Sequence, residues 1–187
     1  MNTATGIFGF TDVDGNGSYD FRDQQTVRFI GPQFFGGLQN SFQYKNFQLD
    51  FLFQFVKQTG SDALLNLTGA FASAVPAYML DRWQKPGDNA TYQRLGTQSP
   101  VTTAANLYSS SDQVIGDASF IRLKNLAVSW ILPKRWMDKI HADNARLFIQ
   151  GQNLLTITDF KGLDPERPAG FNLPPLRVIT AGIQFTF

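Results

Sequence analysis

The segment Phe47-Gln-Leu-Asp-Phe-Leu-Phe-Gln-Phe-Val56 decides the fold of this chain. Four phenylalanines and one leucine occupy every second position, and glutamine or aspartate fills three of the four positions between them. Because side chains alternate between the two faces of a strand, this spacing predicts a β-strand with one apolar face and one polar face. A soluble protein would have to cover such a row of phenylalanines, whereas the lipid around an outer-membrane barrel accommodates it uncovered.

Four further segments show related alternation. A tight turn at Lys45-Asn46 joins the opening segment to the strand before it, and the last strand ends the chain on Phe185-Thr-Phe187. In the third strand the apolar phase shifts by one residue at Lys124-Asn125, which predicts a β-bulge. The charged Asp50 and Arg122 fall on the polar phase, where a barrel interior is expected to hydrate them. The predicted strands cover about residues 36–44, 47–56, 119–132, 146–155 and 177–187.

Short and long connections alternate between these strands. Residues 57–118 and 156–176 form two long loops, and the other two connections are short. Outer-membrane barrels have short periplasmic turns and long extracellular loops. The chain is therefore expected to be all-β, with antiparallel transmembrane strands, extracellular long loops and a periplasmic carboxy terminus. Five strands are too few to close a bacterial barrel, so the sheet is expected to be incomplete on its own.

Composition excludes several other classes of protein. The net charge is +1 with 17% charged residues, which gives no electrostatic basis for binding nucleic acid. The amino-terminal residues do not have the basic and apolar regions of a signal peptide. There is no cysteine, and His141 is the only histidine, which leaves no basis for a thiolate or multi-histidine metal site. No nucleophile motif accompanies His141, so the protein is not expected to be an enzyme.

Several motifs occur together in an order that resembles one known family. They are Asp117–Pro133, Ala145–Thr156, Gly162-Leu-Asp-Pro-Glu166, the final Phe-Thr-Phe, and, upstream, the Asp12–Asp20 loop, Gly31-Pro32, Gly36-Gly37 and Trp83–Asn89. This pattern is similar to the carboxy-terminal end of the SusC/RagA-type TonB-linked outer-membrane transporters of Bacteroidetes. One departure is Gln93, where the family often has a proline before an Arg-Leu pair.

The resemblance implies energy-coupled import of oligosaccharides or peptides through a plugged 22-stranded barrel in outer-membrane lipid. It also implies a SusD-type surface lipoprotein as a cap. This chain would supply the last five strands and their loops. It contains no plug domain, so contact with TonB is expected only through a plug that lies outside this sequence.

An acidic loop near the amino terminus has the spacing of a calcium-binding loop. A glycine at the sixth position permits the sharp turn, and the residue at the seventh offers its backbone carbonyl. The same residue types also favour an ordinary solvated turn, and that alternative stays open. The predicted Ca²⁺ ligands are Asp12, Asp14, Asn16, Ser18, Asp20 and Asp23.

The first long loop is rich in aromatic and basic side chains. On an exposed loop such residues could contact a sugar or peptide substrate, or the lipoprotein lid. Alternatively they pack the loop on itself, since a loop of this length needs a small core of its own. The apolar residues 64–71 predict a short helix there. The candidate contact residues are Tyr78, Trp83, Tyr92, Arg94 and Tyr108.

Two other interpretations are compatible with the sequence. A stand-alone calcium-binding β module could use the acidic loop and the aromatic loop to bind carbohydrate. Such a module would have to bury the apolar face of residues 47–55, which a transporter exposes to lipid. The chain could also be a gene remnant without a functional product.

Overall fold

The computed structural model describes residues 1–25, 28–61, 77–139, 142–168 and 173–187. The helix predicted at 64–71 and the single histidine, His141, lie outside these residues. The chain divides into two compact units. The sheet unit comprises 31–59, 117–167 and 172–187, and the loop unit comprises 1–30, 60–116 and 168–171.

The structure contains one antiparallel sheet, which confirms the predicted all-β fold. Its main strands follow the order β1-β2-β4-β5-β6, and the short β3 pairs with β2. The strands are β1 (Gly31–Tyr44), β2 (Phe47–Ser61), β3 (Ile115–Asp117), β4 (Phe120–Ile131), β5 (Asn144–Thr158) and β6 (Val178–Thr186). The helices are α1 (Val101–Ser109) and α2 (Lys134–Met137), with single 3₁₀ turns at Phe21–Asp23, Ala77–Asp81 and Asp112–Val114. Within the described residues, no helix combines the length and the apolar character needed to cross a bilayer.

Several strands extend further than the sequence predicted. β1 begins at Gly31 rather than near residue 36, and a bulge between Pro32 and Phe34 accommodates the proline in the ladder. β2 runs on to Ser61 although residues 57–61 were predicted as loop, and the backbone of residues 57–59 still pairs with β1. Likewise β5 runs from residue 144 to residue 158. The strands were predicted from the alternation of apolar residues. That alternation ends before the backbone pairing does, so the predicted strands are too short.

The bulge predicted at Lys124-Asn125 is confirmed. Phe51 of β2 lies opposite Leu126, whereas Phe53 lies opposite Leu123, so β4 contains one extra residue between these pairs. The register between β4 and β5 shifts at the same place. The extra residue returns the apolar side chains of both halves of β4 to one face.

The two faces of the sheet differ sharply in polarity. One cross-strand row on the apolar face is Tyr44, Phe47, Trp130, Leu147 and Ile183, and the next is Phe42, Leu49, Val128, Ile149 and Ala181. A row on the opposite face is Ser41, Asp50, Ala127, Gln150 and Thr180. Phe42, Ile149 and Ile183 are each more than half exposed, at 55%, 59% and 58%. An uncovered apolar face behind a polar face is the arrangement of a barrel wall in lipid.

The sheet has two open edges within the described residues. There β1 pairs only with β2, and β6 pairs only with β5. In a bilayer each unpaired backbone group on such an edge costs several kcal/mol. The wall is therefore stable in lipid only when further strands continue it on both sides.

Candidate functional site

A buried ion cluster lies on the polar face of the sheet. Arg122 of β4 is only 2% exposed. Its Nη2 donates to a carboxylate oxygen of Asp164 at 2.6 Å, its Nη1 to one of Glu166 at 2.6 Å, and its Nε to the hydroxyl of Thr156 at 2.9 Å. The guanidinium also lies over the ring of Phe120, 5.3 Å from its centroid. Every donor edge of this cation is thus engaged, as burial of a charge requires.

Further bonds hold the same loop segment against the sheet. The side chain of Lys124 donates to both carboxylate oxygens of Glu166, at 2.8 and 2.9 Å. The amide of Gln58 donates to the carbonyls of Ala118 and Pro165. The segment from Asp164 to Glu166 therefore belongs to the second long loop but is fixed to the wall. We name it the anchored segment.

The anchored segment corrects one expectation from the sequence. Arg122 was expected to be hydrated in a barrel interior, but it is buried beneath two carboxylates. Because its acidic partners lie 42 and 44 residues away, no local spacing reveals the pairing. The sequence does offer one signal, the motif Gly162-Leu-Asp-Pro-Glu166. Its two acidic residues are two positions apart, which lets both carboxylates bind one cation.

A second ion pair lies beside the start of β4. The ammonium of Lys57 is 2.6 Å from a carboxylate oxygen of Asp117. The hydrogen bond from Lys57, with further bonds from Ser119, lowers the pKa of Asp117 to about 2. The carboxylate therefore stays charged at any physiological pH.

In the loop unit, the acidic loop has the backbone conformation that its glycines suggested. Gly15 and Gly17 adopt positive φ values of 73° and 81°, which glycine adopts without strain. Their backbone N–H groups donate to the two carboxylate oxygens of Asp12, at 2.8 and 2.7 Å. Asp23 accepts from the backbone N–H groups of Asp20 and Val13, and these bonds lower its pKa.

The structure brings together three of the six predicted calcium ligands. Asp12, Asp14 and Asp23 each offer a carboxylate oxygen, and these oxygens lie within 4.8 Å of one another. Asp20 is not in this group, because its side chain caps the 3₁₀ turn by accepting from the N–H of Arg22.

Asn16 and Ser18, the other two predicted ligands, are hydrogen-bonded to each other, and Asp14 has a basic neighbour. The side-chain oxygen of Asn16 accepts from the backbone N–H of Ser18 at 2.7 Å. The guanidinium of Arg22 lies 3.8 Å from Asp14. The described loop is thus closed largely by its own hydrogen bonds and one ion pair.

The candidate contact residues of the first long loop are all partly buried. The rings of Tyr78 and Tyr92 lie 5.0 Å apart, and Tyr108 stacks on Phe8 at 4.4 Å. The indole N–H of Trp83 donates to the carbonyl of Thr3 at 2.8 Å.

Two more contacts of this group involve the same amino-terminal segment. The Trp83 ring covers Gly6, where an added Cβ would lie 2.2 Å from it. The backbone N–H of Arg94 donates to the carbonyl of Gly6. These aromatic residues therefore pack mainly within the loop unit, as the self-packing alternative expects.

Gln93 fills a position that sequence analysis had noted only as a departure from the family pattern. It is completely buried. Its side-chain oxygen accepts from the N–H of Phe8 at 3.4 Å, and its amide donates to the carbonyl of Val101 at 3.1 Å. A proline here could form neither bond, so glutamine links the amino-terminal segment to α1.

No protein-family model matches the chain. Comparison with known proteins finds relatives that are all named TonB-dependent receptors. TonB-dependent receptor P3 of Formosa agariphila is 34% identical over 161 residues, which are 84% of this chain and 15% of that protein. TonB-dependent receptor P26 of the same organism is 28% identical, over 95% of this chain and 19% of that protein. TonB-dependent receptor SusC of Bacteroides thetaiotaomicron is 25% identical, over 89% and 16%.

Solved structures agree with these sequence relatives. A chain of the RagAB peptide transporter matches with a TM-score of 0.75 at 25% identity, over 100% of this chain and 22% of that one. The RagAB peptide importer in its open-open state matches with a TM-score of 0.70 at 26% identity, over 95% and 20%. These relatives are named as receptors and transporters, and the chain spans about a fifth or less of each. Over most of its length the chain is therefore similar to one part of the TonB-dependent receptors of the SusC/RagA type.

Proposed function

We propose that this chain forms the carboxy-terminal part of the wall and extracellular loops of an energy-coupled importer of oligosaccharides or peptides. The observation that carries the proposal is the uncovered apolar face, which runs across all five main strands opposite a polar face. A stand-alone calcium-binding module in water would have to bury that face. The name of the RagAB structure, a peptide importer, favours peptide as one substrate class.

The proposed orientation places the carboxy terminus in the periplasm. The turn at Lys45-Asn46 and the connection through α2 then lie on the periplasmic side, and the loops after β2 and β5 are extracellular. This assignment follows the rule that barrel turns are short in the periplasm and long outside.

The proposed partners act through different parts of the receptor. A SusD-type surface lipoprotein covers the extracellular side. There the partly buried Tyr78, Trp83, Tyr92, Arg94 and Tyr108 offer their remaining surface to the lid or the substrate. TonB acts through a plug domain that other parts of the receptor supply.

We also propose that the acidic loop holds one Ca²⁺ as a structural clip. The support is the approach of the three carboxylates of Asp12, Asp14 and Asp23, together with the ligand spacing along the loop. Asn16, Ser18 and Asp20 complete the proposed ligand set, with Asp20 leaving its capping position or binding through water.

The size and location of the native polypeptide test the main proposal. Outer-membrane fractions are probed with an antibody against residues 162–174. We expect a band far larger than the 20.9 kDa of this chain, because the wall needs further strands on both edges. A band of about that mass in the soluble fraction would favour the calcium-binding module, and no band in any fraction would favour a gene remnant.

A further inference from the structure

The turn-side rim of the sheet unit combines an aromatic cluster with exposed cations. We define this rim as the Lys45-Asn46 turn together with residues 132–139 and 142–143, the described part of the connection from β4 to β5. The ring of Phe47 stacks on Trp130 with centroids 5.7 Å apart and an interplanar angle of 9°. The ring of Trp136 meets Trp130 edge-on at 5.7 Å. Aromatic side chains in such a row mark the depth at which a barrel meets the headgroup region.

The position of α2 on the rim is fixed by packing. Met137 is 3% exposed and forms a small core with Ala142 and Ala145, against which Leu132 packs. The backbone N–H of Leu132 donates to the carbonyl of Ala145. Trp136, the neighbouring residue, contacts Trp130 and remains 46% exposed.

The turn beside α2 is held just as firmly. The side-chain amide of Asn46 donates to the carbonyl of Ile131 at 2.9 Å, and the N–H of Ile131 donates to the carbonyl of Asn46 at 2.8 Å. Lys45 lies in this turn, with its ammonium 5.3 Å from the centroid of the Tyr44 ring. The basic residues of the turn and of α2 are therefore held on one rim.

The rim has an excess of positive charge. Within the part of the chain that the structure describes, its exposed basic residues have no salt bridge. Asp138 and Asp143 also lie on the rim, but they are fewer than the cations. The basic residues are Lys45, Lys134, Arg135 and Lys139.

We propose that this rim binds the phosphate headgroups of anionic phospholipid in the periplasmic leaflet of the outer membrane. The inference rests on the proposed function, because it needs the sheet to be a barrel wall in that orientation. Trp136 lies at the interface, and Lys134, Arg135 and Lys139 supply the charge. A phosphate oxygen accepts several hydrogen bonds from guanidinium and ammonium groups, and basic residues at a membrane surface attract anionic lipid.

The test measures lipid retention by the full-length receptor that carries this segment. The purified receptor in detergent is titrated with phosphatidylglycerol or phosphatidylcholine, and bound lipid is counted by native mass spectrometry. We compare the variant K134A/R135A/K139A with the control K85A/K161A/R167A, which removes three exposed cations elsewhere. The wild type and the control should bind more phosphatidylglycerol than phosphatidylcholine. In the rim variant the ratio of the two bound lipids should be about fivefold lower.

Equal retention of phosphatidylglycerol by the rim variant, or no preference in the wild type, would overturn the inference. A second measurement needs no substitution. Raising the salt concentration to about 0.5 M should weaken the wild-type preference because charges are then screened, and an unchanged preference would contradict an electrostatic site. A wild-type receptor that lacks the heat-dependent gel mobility of a folded barrel would instead overturn the proposed function.

Discussion

The guanidinium of Arg122 lies 2.6 Å from the carboxylate of Glu166, 44 residues further along the chain. This bond joins the wall of the sheet to a loop that is proposed to be extracellular. The same guanidinium binds Asp164, so one buried cation holds two acids of the anchored segment.

Arg122→Ala should release the anchored segment. Removing one partner of a buried ion pair costs about 3–5 kcal/mol because the remaining charge is left unpaired. The ratio of closed to open loop should therefore fall by about two to four orders of magnitude. Limited trypsin digestion of the folded receptor after Lys161, which precedes a glycine, measures this opening.

Two variants make the digestion experiment specific. Arg122→Lys keeps the charge but lacks the three separate nitrogens that reach Thr156, Asp164 and Glu166, so its cleavage should be intermediate. Lys85→Ala removes an exposed cation of the loop unit and should leave cleavage after Lys161 unchanged. Identical digestion of Arg122→Ala and wild type would contradict the role of the cluster.

Asp117 should titrate far below an ordinary aspartate. Its pKa is about 2 in the folded chain, against 3.8 for an unperturbed aspartate. Because the folded pKa is depressed, the stabilisation is complete above about pH 4 and is lost as the pH falls through about 2. Carboxyl ¹³C shifts of labelled receptor measure the titration. Lys57→Met should raise the pKa, and a wild-type titration near 4 would be inconsistent with the ion pair.

The acidic loop should bind one calcium equivalent. In the full-length receptor, D12N/D14N should lower calcium binding in equilibrium dialysis by one ion per chain, since it removes two of the three clustered carboxylates. The control D138N/D159N removes two exposed carboxylates elsewhere and should leave the count unchanged. Equal counts for wild type and D12N/D14N would mean that the loop is an ordinary turn.

Gly36→Ala should lower the stability of the sheet, because the ring of Phe55 covers the glycine. A Cβ at Gly36 would lie 2.5 Å from the ring of Phe55 on the neighbouring strand. The Phe55 ring must move to make room for the Cβ. The expected cost is about 1 kcal/mol, the lower end of the range for overpacking, because the ring lies on the uncovered apolar face. The temperature at which the folded barrel loses its gel mobility should fall. Gly116→Ala meets no described atom within 4 Å and serves as the control.

Sequence periodicity predicted the strands and the bulge because both depend on local alternation. The shift at Lys124-Asn125 is visible in the order of apolar residues alone, and the register confirms it. Strand ends were missed where residues without apolar alternation, such as 57–59, continue the ladder.

The side-chain sites were less accessible to sequence reasoning. The partners of Arg122 depend on the path of a long loop, which no spacing encodes. Asp20 matches the calcium pattern, yet it caps a 3₁₀ turn in the structure. Capping and metal binding require the same short acidic side chains, so the sequence pattern alone does not separate them.

The buried cluster also affects how this segment can be exchanged between receptors. Arg122, Thr156, Asp164 and Glu166 all lie within one continuous stretch of 45 residues, 122–166. The outer edges of β1 and β6, in contrast, offer backbone groups that any neighbouring strand can pair with, whatever its sequence. A chimaeric receptor that inherits this stretch therefore inherits the whole ion cluster, whereas the bond from Gln58 to Pro165 requires a matching residue in its β2.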